Sequence, residues 1–548
     1  MKSPILAALL VALPFSAAYA SSEILNLHTD SEAIRILHDG KAQAPWLIDP
    51  EIPLDSLMTS AREVTLISHI DTVTVSGLAD YQLQDIAIIT AKGDTAMTRI
   101  IKLPEVIYTN PPASKLPAEG STKLSREQAL FDLDALFYAL TEIHPDIYSV
   151  AGQEKILTAL NDIRSAITDS LTTTELYRIM APLVSMIGDG HTMLRFPLND
   201  FFTADLQRMP LYANVHPDRT ITATVSYNSA IPAGARILSI NGVSDSDMID
   251  RMLPFVSGER EHFKLSRIND MFTALFELFY GGKTQYEIVY QASGSPSPQS
   301  AILPASDWAT INAHIPAENN SNTMDDPRAS FSYRIDEKNG VAIMDFNDCT
   351  GRKKMSHLCD SMFADMRERG INRLIIDVRE NGGGDSGVGD ILLNYISPKP
   401  FTQFDKILAK VSPTTARMIG NTDGRPTVSL YSCPKDSYQQ PRTSDNGHFD
   451  GTVMLLTSSD TFSSGASFAW TFKQTGCGTV IGEETGGMNV CYGDVVSWIA
   501  PMSKLRCTIS WKRFWQMEAD EFDIHGTLPD IAVSSDKALD EALNLITK

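Results

Sequence analysis

The stretch "SSDTFSSGASFAW", residues 458–470, puts five serines into thirteen positions. It follows the apolar run Thr452 to Leu456, which reads as a buried strand. It leads into Ala466, Phe468, Ala469 and Phe472 at helical spacing, with Gly476 as a stop signal. A helix therefore begins near Ser463 or Ser464. Serine in that place is an ordinary N-cap. The same place also suits a nucleophile: the positive end of the helix stabilises developing negative charge, and the next backbone N–H can serve an oxyanion. A serine nucleophile needs a base. Of the 11 histidines, His191 is distinctive, because in "GDGHT" two glycines leave the backbone free to place its ring. A polar turn is the plain alternative there. The third stretch is "DVRENGGGD", residues 377–385. Its three glycines after a buried strand read either as a tight turn or as backbone N–H groups bared to an anion. It is neither GxxxxGK[ST] nor GxGxxG, so it matches no nucleotide loop.

These residues need elements to hold them. Residues 328–548 alternate apolar strands ("GVAIMDF", "RLIIDV", "TVMLL", "GTVIG") with helical stretches, which predicts an α/β sheet covered by helices. Residues 125–200 read as a helical unit, with capping boxes at Ser125–Gln128 and Thr172–Glu175. Pro145 stops its first helix, the second lies near residues 153–167, and the third runs to about Ile187. Residues 201–305 are mixed. "IPAGARILSINGVSDSDMIDRML" reads as strand, Asn-Gly turn and helix, and resembles the latter part of a PDZ domain. Residues 21–108 alternate apolar and polar positions and read as a small β-rich domain, followed by a Pro/Ser/Gly linker at 109–124.

Composition is globular, with 43% hydrophobic residues, and the net charge of −21 argues against a nucleic-acid-gripping protein. Residues 1–20 have one lysine, an apolar run and Ala18-Tyr19-Ala20, the layout of a signal peptide cleaved near Ala20. The apolar run is too short to span a bilayer, and no later stretch qualifies. An exported, periplasmic or secreted protein is expected. In that setting the six cysteines are candidates for disulfides, with Cys491–Cys507 across two strands and Cys349–Cys359 closing a local loop. No Cys/His cluster or HExxH pattern suggests a metal.

Four blocks occur in order: "IGDGHTML", "LIIDVRENGGG", "TSSDTFSSGASFA" and "GTVIGEETGG", with "GTLPDI" near the end and "EIHPDIY" upstream. This set resembles the C-terminal-processing, or tail-specific, serine peptidases and their tricorn-like relatives over roughly residues 125–535. The resemblance implies a crotonase-like α/β core, polypeptide substrates and no cofactor. It implies Ser464 as nucleophile, with Gly465 and Gly383 or Gly384 as oxyanion donors. The position where relatives carry glutamate falls on Ser467. The lysine of the bacterial processing branch falls on Met488, so a Ser/Lys dyad is not available there. The tricorn-like branch implies His191 as base and an acid at Asp523, with Glu521 as the fallback. A non-catalytic peptide- or lipid-binding protein on the same fold is the alternative, and an esterase would share the triad.

Overall fold

The computed structural model describes residues 24–547 except 44, 48–54, 107, 109–110, 119–120, 199–206, 227–228, 308–309, 311–329 and 421–426. The expected leader, residues 1–20, lies outside the described residues. The chain divides into two compact units, Met1–Glu105 with Gly152–Thr158, and Val106–Ala151 with Ala159–Lys548.

The first unit is built from strands. One sheet has the order Leu25–Thr29, Leu83–Thr90, Thr95–Lys102, Asp55–Thr59, and a second contains Ala33–His38, Glu63–Ile67 and Thr72–Ser76. Alternate residues turn inward, so Leu27, Ile34, Ile36, Leu66, Ile86 and Ile100 share one core.

The second unit carries a six-stranded sheet in the order Phe331–Asp336, Val341–Phe346, Arg373–Asp377, Thr452–Thr457, Thr479–Gly482, Ile531–Ala532. Only its first pair is antiparallel; the rest run parallel. Helices Arg352–Glu368, Ser386–Ile396 and Ser464–Thr475 contribute Met362, Leu392 and Phe468 to the core on one face. Helix Ala538–Thr547 contributes Ala538 and Ala542 to the core on the other. The strands are apolar on both faces because helices cover both, the α/β arrangement the sequence predicts. An antiparallel sheet, in which Arg506–Gln516 pairs with Val490–Ile499 and with Phe404–Val411, also receives the short strand Met193–Leu194 that follows His191.

Both capping boxes form, opening helices Arg126–Ile143 and Thr173–Ser185. The middle segment forms its own antiparallel sheet with helices Asp245–Met252, Glu261–Asn269 and Phe272–Tyr280. Asn241 and Gly242 take φ of 49° and 78°, which makes the expected turn before helix Asp245–Met252.

The disulfide expectation is overturned: all six cysteines are free thiols. Cys491 stands opposite Phe514 and Cys507 opposite Trp498, so the two are out of register on their paired strands. Cys349 turns its thiol to Asn381 Oδ1 and Cys359 to Met355 Sδ, each at 3.6 Å, rather than toward one another.

Candidate active site

The buried strand Arg373–Asp377 ends in the glycine-rich loop, and Asn381 organises that loop. Fully buried, Asn381 donates from Nδ2 to Phe346 O at 3.0 Å and accepts at Oδ1 from Gly383 N at 2.9 Å. Gly383 and Gly384 take φ of 105° and 133°, which side chains rarely tolerate. A Cβ on Gly383 would lie 2.5 Å from Ser463 Cβ and 2.9 Å from Ser464 N; one on Gly384 would lie 2.6 Å from Cys349 O. The glycines let this loop press against the start of helix Ser464–Thr475.

Each serine of the opening stretch has a distinct place there. Ser458 donates to Arg379 O, and Ser459 Oγ to Glu483 Oε2 at 3.2 Å. Ser467 Oγ donates to Ser463 O and receives Gln516 Nε2, both at 3.2 Å. Ser464 is buried, and its hydroxyl donates to Gly384 O at 2.7 Å. Ser463 differs from all of these. It occupies the N-cap position but makes no capping hydrogen bond, and its backbone is held at φ 50°, ψ −126°. That conformation is costly for a residue with a side chain, and such strain gathers at functional sites. Among the described residues its hydroxyl has no hydrogen-bond partner.

The expectation that Gly465 N–H serves an oxyanion is also corrected, because that group donates to Phe462 O at 2.9 Å. Gly383 N–H is held by Asn381. The N–H groups of Gly384 and Ser464 have no partner among the described residues; Ser464 adjoins Ser463, and Gly384 lines the same cavity.

His191, Ser463 and Ser464 line one cavity of about 330 Å³, with Gly384, Phe404, Ile407 and Phe514 among its other walls. The ring of Phe462, next to Ser463, sits 4.4 Å centroid to centroid from the His191 imidazole. His191 is anchored by its backbone: its N–H reaches Asp189 Oδ1 at 2.8 Å, and its carbonyl accepts from Thr508 Oγ1 at 2.8 Å. Asp189 is fully buried and also accepts from Ser510 Oγ at 2.6 Å and pairs with His144 Nε2 at 3.3 Å. Burial opposes its charge, but hydrogen bonds and charge from His144 and His191 outweigh that and hold its carboxyl well below the usual range. Glu259 completes the cluster, with its carboxyl atoms buried and unbonded. One donor atom from each of Asp189, His191 and Glu259 lies within 4.8 Å of the others. These donor types also bind cations. Here both Asp189 oxygens are already committed to the loop and to Ser510 and His144, which suits proton handling instead.

Asp523 is not brought to His191. Its side chain is 79% exposed, 3.7 Å from His525 Nε2. Glu521 meets Trp515 Nε1 at 3.2 Å and Arg513 at 3.9 Å. Met488, at the position of the lysine in the bacterial branch, is fully buried.

A depressed carboxyl stabilises the fold above its unfolded value near 4 and loses that contribution as pH falls through the folded value. Thermal melts should therefore show Asp189→Asn about 2 kcal/mol less stable than the parent at pH 7. Below about pH 4 the gap should narrow.

Residues 340–533 match the model of peptidase family S41. The chain carries an S41 peptidase domain. It is a serine-type peptidase, and its substrates are polypeptides. Among solved structures, the chain is similar to mature CPAF complexed with lactacystin: 12% identity, TM-score 0.55, covering 77% of this chain and 98% of that one. Mature CPAF alone gives 13% identity and a TM-score of 0.54, over 76% and 96% of the two chains. At such identities the likeness is one of fold. The photosystem II D1 C-terminal processing protease is also similar, at 13% identity and TM-score 0.40, over 77% and 97%. No helix among the described residues of the peptidase is long and apolar enough to cross a membrane.

Proposed function

We propose that the peptidase hydrolyses peptide bonds through an acyl-enzyme on Ser463, with His191 as the base. The nucleophile moves one residue from the position the family resemblance implied. The observation that carries this is the strained backbone of Ser463, which leaves its hydroxyl uncapped in the cavity with His191. Ser464 has its hydroxyl committed to Gly384 O instead.

In this reading His191 takes the Ser463 proton as Oγ attacks the scissile carbonyl. It returns that proton to the leaving amine, then activates water to release the acyl group. The N–H groups of Ser464 and Gly384 receive the oxyanion. Such donors are worth about 3 kcal/mol each in related chemistry. The apolar cavity wall of Phe404, Ile407 and Phe514 would take an apolar side chain beside the scissile bond. The reading includes export after cleavage near Ala20 and processing of polypeptide tails.

Purified peptidase should turn over internally quenched peptides, with amide and ester substrates measured side by side. Turnover of amides supports the reading. Folded protein that cleaves esters only, or nothing, overturns it.

A further inference from the structure

Glu259, half-buried with both carboxyl oxygens enclosed, is an acid beside this site to which the catalytic reading assigns no role. It lies in the loop between the turn Leu253–Phe255 and helix Glu261–Asn269 of the middle segment. That loop is pinned from several sides. Val256 O accepts from Ser185 Oγ at 2.7 Å, Lys264 Nζ reaches the same Ser185 at 3.1 Å, and His262 Nε2 meets Thr485 O at 3.1 Å. Phe263 stacks on Phe462 at 4.3 Å, and Phe462 adjoins Ser463. The carboxyl is thus delivered by a rigid wall rather than by a free surface loop.

Both oxygens of Glu259 are buried without a hydrogen-bond partner, and so is Nδ1 of His191. Buried polar atoms left unpaired are costly and rare, so two such groups side by side call for an explanation. Asp189 does not supply it. Its Oδ1, 3.7 Å from His191 Nδ1, is already bonded to the His191 backbone, whereas the Glu259 carboxyl, within 4.8 Å in the same cluster, is free to move onto Nδ1. Gly190 is what lets Glu259 come close: a Cβ there would lie 3.0 Å from Glu259 Oε2 and 2.6 Å from Phe263. Catalytic hydrogen bonds are often long before substrate arrives and tighten on binding.

We propose that Glu259 is the positioning carboxyl of His191. With substrate in the cleft it accepts the Nδ1–H bond and turns Nε2 toward the Ser463 hydroxyl. When Nε2 takes the serine proton, the Nδ1 proton stays in place, and the carboxylate balances the imidazolium charge. The inference rests on the Ser463–His191 reading. It makes the middle segment a contributor to the active site.

The charged and titratable groups facing Glu259 are Asp189 and His191 from the "GDGHT" loop, Lys264 from the following helix and Cys491 from the adjoining strand. Burial first, and Asp189 second, push the Glu259 carboxyl up to about 7. The carboxylate form, which the role requires, therefore fills as pH rises through that range, and activity should rise with it.

The test uses the full chain with Glu259→Gln and Glu259→Asp, measuring peptide turnover between about pH 5 and 9 and the labelling of Ser463 by a fluorophosphonate. Glu259→Gln should lower kcat about tenfold or more with KM changed by less than about threefold, and should flatten the acid limb of the profile. Glu259→Asp should restore part of the rate and the limb. Should the glutamine variant fail to fold, the aspartate variant's profile decides. A Glu259→Gln profile matching the parent overturns the proposal. So does a loss of rate with unchanged pH dependence and no gain from aspartate, which marks a merely structural role. A parent that neither labels nor cleaves overturns the Ser463–His191 reading, and this inference with it.

Discussion

Ser463→Ala should reduce peptide turnover by about 10⁴-fold or more, whereas Ser464→Ala should stay within about tenfold of the parent. The two neighbours differ because their hydroxyls do different things. Ser464 Oγ closes a 2.7 Å hydrogen bond to Gly384 O inside the packed loop. Losing it leaves one carbonyl less satisfied, a cost of about 1 kcal/mol, and loosens the oxyanion wall slightly. Ser463 lines the cavity as Ser464 does, but its hydroxyl makes no capping bond that would be lost. If it acts only as a helix start, alanine there should be nearly silent. Steady-state kinetics on the two folded variants separates the cases, and equal, small losses at both positions would count against the assignment.

Gly383→Ala is the second large effect expected. The new Cβ would lie 2.5 Å from Ser463 Cβ and 2.9 Å from Ser464 N, on a backbone at φ 105° that alanine resists. Either Ser463 moves or the glycine loop backs away. A displacement of that size at the reacting atoms costs about 10²-fold in rate, and disturbing the oxyanion donors costs about as much again. The internal control is Gly382→Ala. A Cβ there meets nothing within 4 Å, so kcat should be nearly unchanged. Paired measurements of kcat and melting temperature test both. A fully active Gly383→Ala variant would place the oxyanion site elsewhere.

Much of this site was legible before any coordinates. Period-two and helical patterns marked the strands and helices that carry the glycine loop and the serine stretch. Ordered motifs joined His191 to a serine some 270 positions away in sequence. What escaped was information held in backbone angles and in contacts distant along the chain. Ser463 and Ser464 are alike as letters; only φ and one hydrogen bond tell them apart. Asp189 could have been noticed, since it stands two residues before His191 in the same block. Glu259 could not, because "VSGER" has no pattern of its own and gains meaning from its packing against Gly190 and His191. The acid expected at Asp523 followed from spacing to the final "PD", and spacing does not report that the side chain is open to solvent. The disulfide expectation failed for a similar reason: cysteine count says nothing about strand register.

The measurement that bears most directly on the account is the site of a covalent adduct. Folded peptidase, treated with a fluorophosphonate and digested, should yield one labelled peptide spanning the serine stretch. Fragmentation should put the added mass on Ser463, and His191→Ala should suppress the labelling. An adduct on Ser464, or none on folded protein that still cleaves peptides, would contradict the assignment.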